Sequence, residues 1–537
     1  MHKAKPGPLF GDFTDDFLKT YYIEADMDFR DKHCLKGETS LNTNEKMEYA
    51  KKEFGITEAV FRRNKMDAID MRNYIIIANV SRHKKIKTKK IYKSIKDASG
   101  LKKNEVKEDI ACLNDMEIMK VTPQIYSRYE MYNLRDDEAE KLLENLVAQN
   151  AMAREIEENL ESVDAGEMSL ADVEPKIEAL RTFLSDTMTE NEIKRNCSKY
   201  ANYKPEIKAD SDAVKQIAVD IRLCELILGC SDVEYIMFRF DEKNLSERRE
   251  FICTKSRKAY LRKLNPLTYE RVTDVKSKSY NTLKDLYGRD AVSIESLDDF
   301  EKFRQFAKDK DCFVLKPEMS SQGNGIKKIE LPPLYEKANE TEFKEFFDGL
   351  FESTGPFFAE ELINPHPAID ALNRTSVNTV RIVTCYNGKE VKIQRCFMKI
   401  GRGGSFVDNG GAGGILVSVN QETGVMDSDG MVESGHVFEV HPDSGIKFKG
   451  YRLPHWDSAI ELCKEAAKRL PHTTYIGWDV TCNNNNKWLI VEANSGTAFV
   501  GQQGPSNKGM RKEFMEMYDW IVKDNENLIP PESFDLY

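Results

Sequence analysis

Apolar positions in this chain follow two different periods. Between residues 135 and 184, Leu142, Leu146, Ala153, Ile156, Leu160 and Val163 recur at spacings of three, four or seven, with mostly charged or polar residues between them. Such a repeat lays one narrow apolar seam along a helix. The breaker Asp164-Ala165-Gly166 separates it from a second helical stretch, 171–184, so an antiparallel helical hairpin is predicted. Val214, Ile217, Ala218, Ile221, Cys224, Ile227 and Leu228 form a further helical stripe. Beyond it the texture changes. The runs 313–315, 380–386, 391–400 and 488–492 predict strands, and the amphipathic stretches 341–351 and 457–470 predict helices between them. Their alternation with glycine-rich turns predicts an α+β domain with a substantial sheet.

The first 130 residues are mixed. The apolar run 74–80 (YIIIANV) suits a buried strand or part of a helix. From 82 to 103 the chain is crowded with Lys and Arg against one acid, Asp97, and a helix-like pattern follows over 105–119. A helix-turn-helix on a basic face fits this stretch, and so does a solvated helical face, the commoner use of such a run.

Length and charge narrow the function classes. A chain of 537 residues is too long for one ordinary core. The expected division is a mixed domain over 1–130, a helical hairpin over 131–184, a helical lead-in over 185–270 and a catalytic domain over 271–537. No stretch reads as a membrane span, and no apolar segment follows the N-terminus as in a secretion signal. Eleven cysteines without a CxxC pair suit reduced thiols, and hence a cytoplasmic location. A net charge of -11 argues against wholesale nucleic-acid binding.

Three constellations carry chemistry. In the first, a strand delivers Lys316, and the turn Ser320-Ser321-Gln322-Gly323-Asn324-Gly325 follows at once. A fixed cation beside backbone N–H groups that can approach closely is a phosphate cradle, although an ordinary strand-turn-strand has the same pattern. In the second, 475–480 (YIGWDV) and 487–494 (KWLIVEAN) are apolar strands joined by a polar turn, which makes a hairpin. Glu492 and Asn494 lie two apart and so share a face, and folding back brings Asp479 opposite them. Such oxygen donors suit Mg²⁺ carried by phosphates; the bland alternative is three polar residues where a sheet meets solvent. The third is residues 399–414, in which seven glycines surround Arg402 and Asn409, with Arg395, Phe397 and Lys399 aligned on the strand before. This is a flexible surface loop or a mobile one that aims cations at a phosphate and a developing oxyanion.

These pieces occur in the order used by ATP-grasp enzymes, which the chain resembles over about 185–537. More closely, Ser376-Val377-Asn378-Thr379-Val380-Arg381-Ile382-Val383-Thr384 is similar to the SxNTxRxxT signature of the bacterial sugar-transfer-associated ATP-grasp family, and Gly477-Trp478-Asp479-Val480 to its GWD strand. Asp290 and the segment 274–289 resemble the entry to the first ATP-grasp lobe. The resemblance implies two lobes clamping ATP. Lys316, Ser320, Ser321, Gly323 and Gly325 would hold phosphates, joined by a second lysine for which Lys276 and Lys278 are favoured over Lys284. Glu360, Glu361, Leu362 and Ile363 would form the hinge that holds adenine and ribose. Asp479, Glu492 and Asn494 would hold Mg²⁺, and Arg381, Lys399, Arg402 and Asn409 would act on the transferring phosphoryl group. Gly477 stands where some ligases place an arginine, so Arg381, Arg395, Lys399 or Arg402 would have to supply that charge. The implied activity is a carboxylate-amine ligase working through an acylphosphate on a small-molecule, peptide or cell-envelope sugar-linked acceptor, within polysaccharide biosynthesis. A kinase acting on a hydroxyl and a non-catalytic nucleotide sensor are the alternatives. The helical hairpin is open to use as a homodimer contact.

Overall fold

A computed structural model describes residues 136–265, 272–273, 275–318, 325–331, 340–523 and 525. The run 74–80, the basic stretch 82–103, the pattern 105–119 and Ser320, Ser321 and Gly323 lie outside the described residues, as do the side chains of Leu142 and Leu146. The described chain falls into two compact units, one holding residues 136–198 and 209–227 and the other holding the rest. No helix among the described residues is long and apolar enough to cross a membrane.

In the first unit, helices α1 (Asp136–Asp164) and α2 (Leu170–Thr187) pack together. Ala153, Ile156 and Leu160 of α1 and Val173, Ile177, Leu180 and Leu184 of α2 are buried, so the seam is the contact surface. Ser169 starts α2 with a capping box: its N–H and its hydroxyl both donate to Asp172, at 3.1 and 2.6 Å. Helix α3 (Ser211–Leu228) carries the third stripe; its Arg222 reaches Gln149 at 3.2 Å and Glu225 at 2.6 Å.

The second unit contains helices α4 (Thr254–Leu264) and α5 (Lys276–Tyr287), preceded by short helical turns, and two antiparallel sheets. The smaller is built from β1 (Ala291–Ile294), β2 (Cys312–Pro317), β3 (Lys327–Glu330) and β4 (Phe357–Glu360), in the order β1-β4-β2-β3. Helices α6 (Phe300–Ala307) and α7 (Glu340–Thr354) supply Phe300, Phe303, Phe343 and Phe347, which pack with Phe313 and Phe357 of the strands as its core. The larger sheet comprises β5 (Thr379–Tyr386), β6 (Val391–Ile393), β7 (Cys396–Ile400), β8 (Ile415–Val419), β9 (Gly430–Met431), β10 (Val437–Phe438), β11 (Tyr475–Cys482) and β12 (Trp488–Asn494). Its order is β10-β9-β8-β7-β5-β11-β12, with β6 also on β5.

Alternation along the central strands decides where the polar residues sit. Ile382 of β5 and Ile476, Trp478 and Val480 of β11 enter one core with Ala459 and Cys463 of helix α8 (Trp456–Lys468). Val383, Cys385 and Tyr475 enter another with Phe514 of helix α9 (Arg511–Val522) and with Leu261 and Leu264 of α4. Arg381 and Asp479 belong to the second set by period, but lie where that core has ended.

Two departures from regular pairing matter. Residues 391–400, read from sequence as one strand, are two: β6 pairs with 384–386 of β5 and β7 with 379–381, with Gln394 and Arg395 between them. Gln394 accepts from the Tyr475 hydroxyl at 2.5 Å, and Arg395 turns to Glu513 and to the carbonyls of Lys508 and Gly509 at 3.0, 2.6 and 2.7 Å. Gln394 N–H still donates to the Val383 carbonyl at 2.9 Å, the register on β5 shifts by one residue between β6 and β7, and Arg395 is paired with the segment before α9 rather than with Asp479. In the β11–β12 hairpin, Asp479 faces Glu492 but Val480 faces Ile490, so Val491 is an inserted residue, a β-bulge.

Candidate active site

Asp479 is the centre of the site. It is buried on β11, with Arg381 beside it on β5 and Lys399 one strand further, on β7. Arg381 grips the carboxylate with two bonds, Nε to Oδ1 at 2.6 Å and Nη2 to Oδ2 at 2.9 Å; Lys399 adds a third to Oδ2 at 2.9 Å. Burial pushes the Asp479 carboxyl up, but the two cations outweigh it and hold the pKa down at about 2. Arg381 also donates to the Thr497 hydroxyl at 2.7 Å. Lys399 reaches Asn409 at 3.2 Å and lies 3.7 Å from Asp408.

Gly477 acquires its reason here. A Cβ at that position would stand 2.7 Å from Cδ of Arg381 and 2.5 Å from the Thr497 hydroxyl. The absent side chain is the space through which Arg381 reaches Asp479, so a cation from β5 occupies the neighbourhood of this glycine.

The SxNT residues hold the glycine loop. The Asn378 side-chain oxygen accepts from Gly401 N–H at 3.2 Å, while its amide donates to the carbonyls of Ile369 and Asn373 at 3.1 and 2.8 Å. Thr379 donates its N–H and hydroxyl to Asp408 at 2.8 and 2.6 Å. Arg402 folds back onto the loop, donating to the Gly413 carbonyl at 2.7 Å with its guanidinium over Phe438. Lys399 thus stands between Asn409 and Asp479, whereas Arg402 is turned onto its own loop.

On β12, Glu492 and Asn494 face Asp479 and Gly477 in register. Asn494 lies 3.4 Å from Asp479, and Glu492 is 3.8 Å from Lys276. Lys276, at the start of α5, is 8% exposed; burial lowers its pKa although Glu492 opposes this. Its neighbour Ser277 donates its backbone N–H to Glu318 at 2.8 Å. Of the competing lysines, Lys276 approaches Glu492 and Lys284 lies over the Tyr280 ring.

Lys316 on β2 is paired with Glu360 at the end of β4. Arg289 binds the same carboxylate from the other side, at 3.1 Å through Nε and 2.5 Å through Nη2. Burial raises the Glu360 carboxyl, and Arg289 and Lys316 together bring it below the ordinary carboxylate range. Arg289 continues to the carbonyl of Ile490 at 2.6 Å, beside the bulge. Glu360 is therefore a buried counter-ion between two cations, a role its place in the hinge pattern did not suggest. Glu361 lies beyond it, next to Asp290, at the edge of a recess of about 580 Å³ lined also by Tyr280, Lys284 and Asp285. Leu362 and Ile363 follow, half-buried. Gly325, with φ of +75° and Pro317 2.7 Å from where its Cβ would be, closes the turn after β2. Arg289, Asp408 and Thr497 were not singled out from sequence. Asp408 and Arg289 stood inside segments that drew notice, but no spacing tells which carboxylate each charge will meet.

Residues 255–517 match the family model described as sugar-transfer associated ATP-grasp. No curated protein matches the sequence. Similar solved structures include the ATP-grasp ligase PsnB complexed with minimal precursor, Mg and ADP, at 12% identity and a TM-score of 0.28, covering 48% of this chain and 62% of that one. Others are the D-alanine-D-alanine ligase from Coxiella burnetii, at 12%, TM-score 0.29 and coverages of 49% and 61%, and an L-amino acid ligase from Bacillus licheniformis, at 13%, 0.29, 49% and 53%. The chain thus spans less than two thirds of the length of these structures. Residues 255–517 form a two-lobed α+β domain of the sugar-transfer-associated ATP-grasp family.

Proposed function

We propose that this domain is an ATP-dependent ligase joining a carboxylate to an amine through an acylphosphate, on a small-molecule, peptide or envelope-sugar-linked acceptor. The observation that carries the reading is the convergence of Arg381 and Lys399 on one buried carboxylate, Asp479, with Asn409 on Lys399, Glu492 opposite in the hairpin and the Asn494 amide N–H donating to Asp479. A fold of this family supports ATP as the phosphoryl donor. The donor set fits Mg²⁺. Glu492 offers a partly exposed carboxylate whose nearest cation is 3.8 Å away, and Oδ1 of Asp479 has a second lone pair beyond its bond to Arg381. Glu492, Asn494 and Asp479 would hold the ion, which supplies neutralisation of phosphate oxygens.

Lys276 and Lys316 hold the phosphates, with Ser320, Ser321, Gly323 and Gly325 as their backbone cradle. Glu361, Leu362 and Ile363 line the nucleoside end, and Glu360 serves it by fixing Lys316. Arg381 and Lys399 stabilise charge on the γ-phosphoryl group as it transfers, and Asn409 orients Lys399. The acceptor's carboxylate oxygen bonds to the γ-phosphorus as the bond to ADP breaks. The amine nitrogen then bonds to the acyl carbon, phosphate leaves with its electron pair, and the amine's proton passes to solvent.

Calorimetry with ATP, with and without Mg²⁺, tests the site: wild type should bind only with Mg²⁺, and Glu492→Gln should lose that dependence. Loss of affinity by about tenfold or more is expected, the scale on which metal-site substitutions act. Hydroxylamine added with ATP and a carboxylate pool tests the chemistry. Hydroxamate formation marks an acylphosphate, and ADP release without hydroxamate assigns the domain to hydroxyl phosphorylation.

A further inference from the structure

His441, after β10, is fully buried and reaches the glycine loop from outside the site. Its Nδ1 accepts from the backbone N–H groups of Asp443 and Ser444 at 3.2 and 3.3 Å. A ring nitrogen with that duty carries no proton, so the hydrogen lies on Nε2, which is 2.8 Å from the Gly401 carbonyl and donates to it. The same turn holds the loop again: the Asp443 carboxylate accepts from Gly403 N–H at 2.6 Å. Gly401 is thus gripped on both sides, its N–H by Asn378 and its carbonyl by His441. A Cβ there would come within 2.4 Å of the Ser376 hydroxyl and 2.8 Å of the Asn373 amide, so the fit leaves no slack. Lys399 stands two residues upstream, and Asn409 returns to it from the far side of the loop.

We infer that His441 and Asp443 are positioning residues that fix residues 401–414, and through them set Lys399 and Asn409 against Asp479. Misplacing a charged group by about an ångström costs on the order of a hundredfold in rate, so anchoring at Gly401 has leverage over chemistry it never touches.

Two substitutions divide the ring's two duties. In His441→Asn the side-chain oxygen replaces Nδ1 as the acceptor for the turn but leaves Gly401 without a donor. His441→Gln places a donor near Gly401 but gives up the turn. Hydrogen exchange of the peptide covering 401–414 should quicken by about tenfold in His441→Asn and remain near wild type in His441→Gln. Asp443→Ala, at an exposed position, should quicken it too. The second arm rests on the ligase reading: Mg-ATP turnover should fall about tenfold in His441→Asn with KM within about twofold, and be restored in His441→Gln. The inference fails if His441→Asn and Asp443→Ala leave exchange at the wild-type rate, or if His441→Gln loosens the loop as much as His441→Asn. If wild type turns over no ATP, the functional reading is what fails, and the exchange comparison still decides the tether.

Discussion

At the scale of single residues, the site is governed by how buried charges are paired. Glu360 has Arg289 on one side and Lys316 on the other, and is almost wholly enclosed. Glu360→Gln would leave two buried cations without their counter-charge, at a cost of about 3–5 kcal/mol read from urea midpoints at pH 7. The sign of the pH dependence follows from the depressed carboxyl. Its stabilisation is present above the ordinary value of 4.5 and lost as pH falls through the lower folded-state value, so the gap between wild type and variant should narrow below pH 4.5. The convergence of Asp479, Glu492 and Asn494 was legible in the sequence, because strand period and a hairpin turn place them together. The partner of Glu360 was not, because a carboxylate's counter-ion comes from whichever element folds beside it, here residues 71 positions upstream.

At the scale of elements, strands and helices followed from apolar period, but interruptions in them did not. At the break, Gln394 and Arg395 find their partners in Tyr475 and in the segment before α9, which local sequence does not contain. Gly477 shows the same dependence on a neighbouring strand. Gly477→Ala would put a methyl group on Arg381 and Thr497; a loss of about 1–3 kcal/mol is expected, with weaker Mg-ATP binding by calorimetry. A variant with wild-type stability and binding would mean that Arg381 can reach Asp479 by another route.

At the scale of the molecule, the second unit extends beyond the family match at its N-terminal side. Ile252 and Gln503 exchange two bonds of 3.0 Å, Arg511 donates its N–H to Glu250 at 2.9 Å, and Lys243 reaches Asn507 at 2.8 Å. A fragment of residues 199–529 should therefore melt cooperatively and bind nucleotide, and one of residues 255–529 should melt several degrees lower, as measured by calorimetry. Sequence texture separated a helical lead-in at residue 270, whereas packing joins 228–265 to the sheet, because Asn265 is bonded to β11 on both sides of its amide. The bulge at Val491 has a consequence for reading other chains. Before it, Trp488 and Ile490 point into the core, and after it Ala493 does, so the insertion reverses the parity of the strand and Glu492 and Asn494 lie off the core face. Deleting Val491 would make the pairing regular and leave Glu492 opposite Asp479 and Asn494 opposite Gly477, because cross-strand partners share a face. An alignment gap at that point in a homologous sequence would therefore mark a hairpin that had lost its bulge and kept its donors, not a domain that had given up its chemistry.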